Sequence, residues 1–235
     1  MAPPISREAQ SDWLARTKLH PPRLREDVIP RPQLLEALRA ALTSHKLTLL
    51  SAPAGYGKTT LLAALPHAFP DLPLAWLSLD PEDNDPSRFL TAFVAALQSL
   101  NPIGGMNTQT LLSSLTNPGA EARRVIGVLI NDVLETLSDS FVLVLDDLHL
   151  ITEPSVYTAL DYLLERMPPQ MHLAVAARHD PPLILARLRA RGQIAELRVP
   201  DLRFTDDEAS SFLNEKLRLR LSAIDLDVLQ SRAEG

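Results

Sequence analysis

An apolar run that passes directly into a glycine-bearing turn constrains this chain more than any other feature. Leu47-Thr48-Leu49-Leu50-Ser51 reads as a short buried strand, and Ala52-Pro53-Ala54-Gly55-Tyr56-Gly57-Lys58-Thr59-Thr60 leads from it into a helical stretch over residues 59–68. Such a loop turns consecutive backbone N–H groups around an anion, and glycine permits this because it reaches positive φ without a Cβ penalty. Gly55 and Gly57 supply that freedom. Lys58 can reach the β and γ oxygens of a triphosphate, Thr59 can place its hydroxyl on magnesium, and the helix behind them aims its positive dipole end at the same anion. Residues 52–60 are therefore the expected cradle for a nucleotide held with Mg2+. Ala52 and Pro53 depart from the strict G-x-x-x-x-G-K-[ST] pattern, which stiffens the entry of the loop but leaves its phosphate-facing half intact.

The surrounding sequence alternates strand and helix patterns. Helical spacing over residues 33–44 puts Leu34, Leu35, Leu38 and Leu42 on one side, residues 74–79 read as a second strand, and Asp85-Pro86 opens an apolar helix through Phe89, Phe93 and Leu97. Residues 101–118 read as a loop with one short helix, and residues 120–137 as a helix. Phe141-Val142-Leu143-Val144-Leu145-Asp146 is an unbroken apolar run ending in acid, the pattern of a strand covered on both faces, and it is expected beside the first strand. A helix over 155–166, a strand over 171–177, a helix over 183–189 and a strand over 194–199 continue the alternation. The predicted fold is α/β: a three-layer αβα P-loop NTPase with a parallel five-stranded sheet.

Three regions are expected. Residues 1–32 form a proline- and arginine-rich N-terminal arm with a short helix near Trp13, and residues 33–200 form the nucleotide-binding domain. Residues 201–235 begin a small helical subdomain, opened by the capping box of Thr205 and Glu208, with one helix to Leu217 and another from Ser222. The stop at Gly235 inside a helical pattern leads us to expect an excised fragment in preference to an unusually short gene product.

Composition excludes several classes. With no cysteine in 235 residues there is no disulfide framework, thiolate zinc site or cysteine nucleophile. A net charge of -6 gives no long-range attraction for a polyanion, so direct nucleic-acid binding is not expected, although Arg187, Arg189 and Arg191 form a local cluster. The first residues carry no apolar signal-peptide core, and no uncharged apolar stretch reaches the ~18–20 residues a membrane helix needs. A cytoplasmic protein with no membrane partner is expected.

Other candidate site residues lie at strand ends. Asp146 stands where a phosphate-loop fold needs a carboxylate for magnesium, and Asp147 can polarise the attacking water. An aspartate reaches less far than a glutamate, so slow hydrolysis is expected. Arg178 closes the strand over 171–177 and should project from the same edge, either to bind the γ-phosphate or as a plain surface arginine. His149 can orient the acidic loop or serve only structure; Arg31 either helps the arm cover the base or is solvated. No H-E-x-x-H, G-x-S-x-G or G-x-G-x-x-G motif is present.

Taken together, these segments resemble the STAND class of signal-transduction ATPases, and within it the MalT-like bacterial regulators with a large ATP-binding region, also grouped with the LuxR family. The resemblance runs through Thr17-Lys18-Leu19-His20-Pro21-Pro22, the loop from Ser51 to Thr60, Trp76-Leu77-Ser78-Leu79-Asp80 with Asp83-Asn84-Asp85, Leu145 to Ile151, the Arg178 region, and Leu202-Arg203-Phe204-Thr205 with Glu208-Ala209. The form S/A-P-A-G-Y-G-K-T is the one this group uses, which accounts for Ala52 and Pro53. The resemblance implies a switch: ADP holds a closed monomer, ATP exchange opens it for self-association, and hydrolysis resets it. It also implies further domains for sensing and DNA binding, none of which lies in these residues. Two other readings stay open: a module that holds nucleotide only for structure, and a dedicated phosphotransferase or motor ATPase, which would need an acceptor site or a catalytic glutamate.

Overall fold

The computed structural model describes residues 13–25, 28–216 and 219. Five strands, β1 (Leu47–Ser51), β2 (Leu74–Ser78), β3 (Phe141–Asp146), β4 (Met171–Ala177) and β5 (Ile194–Leu197), form one parallel sheet in the order β2-β3-β4-β1-β5. β1 and β3 are buried along their whole length, as unbroken apolar runs in a doubly covered sheet must be. One expectation is overturned: β3 does not lie beside β1. β4 stands between them, pairing Ser51 with Ala177 on one side and Leu145 with Val175 on the other. Both β3 and β4 are apolar on both faces, so nothing local ranks one nearer to β1; the order is set by how the crossover helices pack.

Side chains divide by the strand period of two. Leu49, Leu77, Leu143, Leu145, Leu173 and Val175 enter one apolar layer, while Leu50, Trp76, Val142, Val144, Ala174 and Ala176 enter the other. Helices α1 (Pro32–Ser44) and α2 (Lys58–Ala68) cover the second layer through Leu38, Leu42, Leu62 and Leu65. Helices α3 (Pro86–Gln98), α4 (Met106–Ser114), α5 (Ala122–Thr136), α6 (Pro154–Arg166) and α7 (Leu185–Ala190) lie on the first, with Phe89, Phe93, Leu129 and Leu160 at its centre. Each such buried side chain contributes about 1.5–3 kcal/mol, which is why the two layers decide the architecture.

Local chemistry sets the element ends. Asp85 caps α3 by accepting from Ser87 N and Arg88 N, with Pro86 in the first turn, and Glu153 caps α6 through Ser155 N, with Pro154 likewise. β5 stops at Leu197, short of the expected 199, because Val199-Pro200 opens the short helix α8 (Val199–Leu202). The capping box forms as expected at α9 (Asp206–Ser210): Glu208 N donates to Thr205 Oγ1 and Thr205 N to Glu208 Oε2. A π-helical turn, Ser211–Lys216, follows. In the arm the expected short helix is a 3-10 turn at Arg16–Leu19, just past Trp13. Residues 1–12, Leu217 and the helical stretch from Ser222 lie outside the described residues. Among the described residues no helix is long and apolar enough to cross a membrane.

Candidate nucleotide-binding site

All five strands run in one direction, so their carboxyl ends share an edge. At β1 that edge carries the loop from Ala52 to Gly57, where Gly55 (φ 92°) and Gly57 (φ 72°) adopt the left-handed conformation that their sequence positions demand. A Cβ at either glycine would meet no atom within 4 Å, so the requirement is conformational and not one of space. Ala52, by contrast, is buried with its methyl in the apolar layer and its N–H bonded to Ala177 O. Its departure from glycine is absorbed by the core.

Lys58 is buried and folds back over the loop, donating to Ala52 O at 2.6 Å and Pro53 O at 2.8 Å. Burial lowers its pKa from the ordinary lysine range, the Asp147 and Asp146 carboxylates oppose that, and Arg178 adds to it. Thr59 Oγ1 donates to Asp146 Oδ1 at 3.0 Å, and Asp147 N donates to the same oxygen at 3.1 Å. Asp146 is only 3% exposed, and burial together with the Asp147 charge raises its pKa to about 6 against these two hydrogen bonds. Asp147 itself sits at φ 59°, the sole positive φ on a non-glycine among the described residues, a conformation that costs of order 1 kcal/mol and recurs at functional sites.

These groups suit magnesium. The ion takes one or two protein oxygens and fills its octahedron with phosphate oxygens and water. Thr59 Oγ1 and Asp146 Oδ1 are such a pair, and Asp146 is a buried carboxylate with no cationic side chain bonded to it among the described residues. Among the described residues there is no cluster of three His, Cys, Asp or Glu that would hold a metal without phosphate.

Arg178 follows β4 at the same edge, exposed and with no hydrogen bond or ion pair among the described residues, yet near enough to depress the pKa of both Lys58 and His149. His149 has a side chain 7% exposed and both ring nitrogens buried without a hydrogen-bond partner among the described residues. Its Nδ1 lies 3.7 Å from Asp147 Oδ1, beyond a hydrogen bond. Burial is the main cause of its lowered pKa. Arg31 is not solvated. Its side chain is 13% exposed and bonds Glu208 Oε1 at 2.9 Å, Leu202 O at 2.9 Å and Arg203 O at 2.6 Å.

That contact closes one wall of a groove of about 650 Å3 beside the phosphate loop, where Gly55, Tyr56, Gly57 and Thr60 meet Val28, Ile29 and Pro30 of the arm and Leu202, Phe204 and Phe212. Beyond the phosphate loop itself, sequence reasoning placed only Arg31 there. The apolar Val28-Ile29-Pro30 and the quoted Leu202-Arg203-Phe204-Thr205 were the available signals, but residues so far apart in the chain announce no shared wall. Another groove of about 690 Å3, lined by Trp13, Arg88 and Gln109 among others, shares no residue with the phosphate loop. The expected basic cluster is neutralised in part: Arg187 pairs with Glu165, and Arg189 with Glu196 and Asp180.

A parallel sheet of this order, with a glycine-bearing loop between β1 and α2 and an acidic pair ending β3, defines a P-loop NTPase, a nucleotide-binding class. More narrowly, residues 25–176 match the family model of the AAA ATPase domain, and the chain belongs to that family. It is related to MalT-type regulators. It is 35% identical over 222 residues to the HTH-type transcriptional regulator MalT of Yersinia enterocolitica, covering 94% of this chain and 24% of that protein. To the MalT of Vibrio cholerae it is 32% identical over 228 residues, with coverage of 95% and 24%. The chain thus spans about a quarter of the length of these curated relatives. Among solved structures it is similar to the Walker-type ATPase of Pyrococcus abyssi, at 16% identity and a TM-score of 0.46, over 91% of this chain and 65% of that one.

Proposed function

We propose that this chain is the ATP- and ADP-binding switch domain of a cytoplasmic, MalT-like signal-transduction regulator, and that slow Mg2+-dependent ATP hydrolysis resets the switch. The observation that carries this reading is the convergence of Lys58, Thr59, Asp146 and Asp147 on one sheet edge, with Thr59 Oγ1 bonded to Asp146 Oδ1 at 3.0 Å. Lys58 exchanges the carbonyls of Ala52 and Pro53 for the β and γ oxygens when nucleotide enters. Thr59 and Asp146 would hold a magnesium ion, which would supply charge neutralisation for the phosphate oxygens. Asp147 orients a water toward the γ-phosphorus and takes up its proton; the bond to the β–γ bridging oxygen breaks, giving ADP and phosphate. Arg178, which has no ion pair among the described residues, binds the γ-phosphate, and the buried His149 packs behind the acidic loop. The groove between arm and C-terminal segment takes the base and ribose, with Arg31 acting as its clasp through Glu208.

In the full-length protein the nucleotide state would govern self-association and so transcriptional activation. The test is the nucleotide that co-purifies, together with calorimetric titration of Lys58→Ala. Bound ADP and a loss of affinity of roughly 100-fold or more are expected, since a charge-assisted hydrogen bond contributes about 1.5–3 kcal/mol and Lys58 makes two. ATP binding to Lys58→Ala as tightly as to the parent would refute the site, and fast turnover without activator would refute the switch.

A further inference from the structure

The segment Asp80-Pro81-Glu82-Asp83-Asn84-Asp85 joins β2 to α3 and holds no phosphate in the reading above, yet it contains the most fully engaged amide of the site's surroundings. Asn84 Nδ2 donates to Pro81 O at 3.0 Å and Leu150 O at 2.9 Å. Its Oδ1 accepts from Thr152 N at 2.7 Å, Thr152 Oγ1 at 3.0 Å and Glu153 N at 3.1 Å. Two backbone N–H groups must face the oxygen and a carbonyl must face the NH2, so these partners fix the orientation of the amide. One side chain thereby grips the loop that carries Asp147 and His149 and leads into α6. The loop is anchored at its other end by β3, and between the two anchors lies the left-handed Asp147. The segment that carries Asn84 is held from the arm: Lys18 Nζ donates to Asp83 Oδ2 at 2.5 Å and Asp80 Oδ2 at 3.0 Å, and Asp83 is fully buried. A covalently distant chain of contacts therefore runs from the arm, through residues 80–85, to the loop of residues 147–153.

We propose that Asn84 is a positioning residue, which holds the loop of residues 147–153 so that Asp147 stays aimed at the phosphate end of the site, with Lys18 and Asp83 fixing Asn84 in turn. For its catalytic consequence this rests on the hydrolysis reading; the loop-holding itself does not. The variants Asn84→Ala and Asn84→Asp separate the parts. Alanine removes every bond, whereas aspartate keeps an acceptor for Thr152 and Glu153 but sets a carboxylate against Leu150 O.

The experiment measures ATP turnover, nucleotide Kd and amide hydrogen exchange of the parent, both Asn84 variants and Lys18→Met. Turnover of Asn84→Ala is expected to fall about 10- to 100-fold, as small misplacements of a reacting group do, while Kd stays within about twofold. Asn84→Asp should retain more activity, and Lys18→Met should show a weaker form of the same split. Exchange at Thr152 and Glu153, whose N–H groups Asn84 accepts, should accelerate while residues 51–60 keep the parental rate. A folded Asn84→Ala with parental turnover, or with affinity and turnover lost together and exchange raised throughout, overturns the proposal. If the parent itself shows no turnover, the hydrolysis reading fails and exchange decides alone: unchanged protection at Thr152 and Glu153 in Asn84→Ala overturns the positioning role.

Discussion

Two aspartates at the same sheet edge are held in opposite ways. Asp146, at the end of β3, is buried, accepts a hydroxyl and one N–H, and has its pKa pushed up to about 6 by burial and by Asp147. Asp180, three residues beyond β4, is paired with Arg198 and Arg189 and accepts from Ser51 Oγ at 3.1 Å, and the Arg198 hydrogen bond leads the set that holds it down to about 2. Glu196 completes that second group by pairing with both arginines. The difference separates a site from a support. Asp180 has its charge answered by protein cations and has little left for a ligand. Asp146 carries a negative charge that the protein solvates poorly, which is the condition a dication relieves.

Breaking this contrast on the catalytic side should give the largest effect. Asp147→Ala is expected to slow ATP turnover by about 100-fold or more while nucleotide affinity, read by titration, changes by less than about threefold. Equal losses of both would remove Asp147 from the hydrolytic step.

The next largest concerns Asp146 itself. Its folded pKa lies above the unfolded value of 3.8, so its contribution to stability is full below about pH 4 and is lost as pH rises through about 6. Asp146→Asn should therefore melt higher than the parent above pH 6 in the absence of ligand, by roughly 1–3 kcal/mol at most, and should lose the Mg2+ dependence of nucleotide binding. A variant less stable than the parent at pH 8, by thermal unfolding, would show that the carboxylate is already well solvated.

The smallest effect is expected at the support. Asp180 has a depressed pKa, so its contribution is present above about pH 4 and fades as pH falls toward 2. The carboxylate is more than a third exposed and solvent screens it, so Asp180→Asn should cost under about 1 kcal/mol, less at high salt, with nucleotide affinity unchanged within about twofold. A large loss of nucleotide affinity in this variant would blur the distinction between the two aspartates.

The phosphate loop was legible because its instructions are consecutive: a buried strand, two residues that must take positive φ, a lysine and a hydroxyl, then a helix. Asp146 was legible because an apolar run ending in acid fixes which residue emerges at the strand's carboxyl end. The same locality made the capping box at Thr205 readable. Ala52 looked like a weakness of the motif, and the fold shows why it is tolerated, since its methyl belongs to the apolar layer.

What the linear sequence could not determine are relations between distant residues. The position of β4 between β1 and β3 follows from which crossover helices cover which layer, and two doubly buried strands carry no local mark of their neighbours. Arg31 finds Glu208 177 positions away, and Asn84 finds Thr152 68 positions away. Each was visible as a residue type and neither as a contact. The chain by itself determined the kind of ligand, through backbone conformations and charges that adjacent residues impose on one another. Tertiary structure alone decided which carboxylate has no basic partner among the described residues, what closes the groove, and which side chain bonds the acidic loop, because those depend on which surfaces burial brings together.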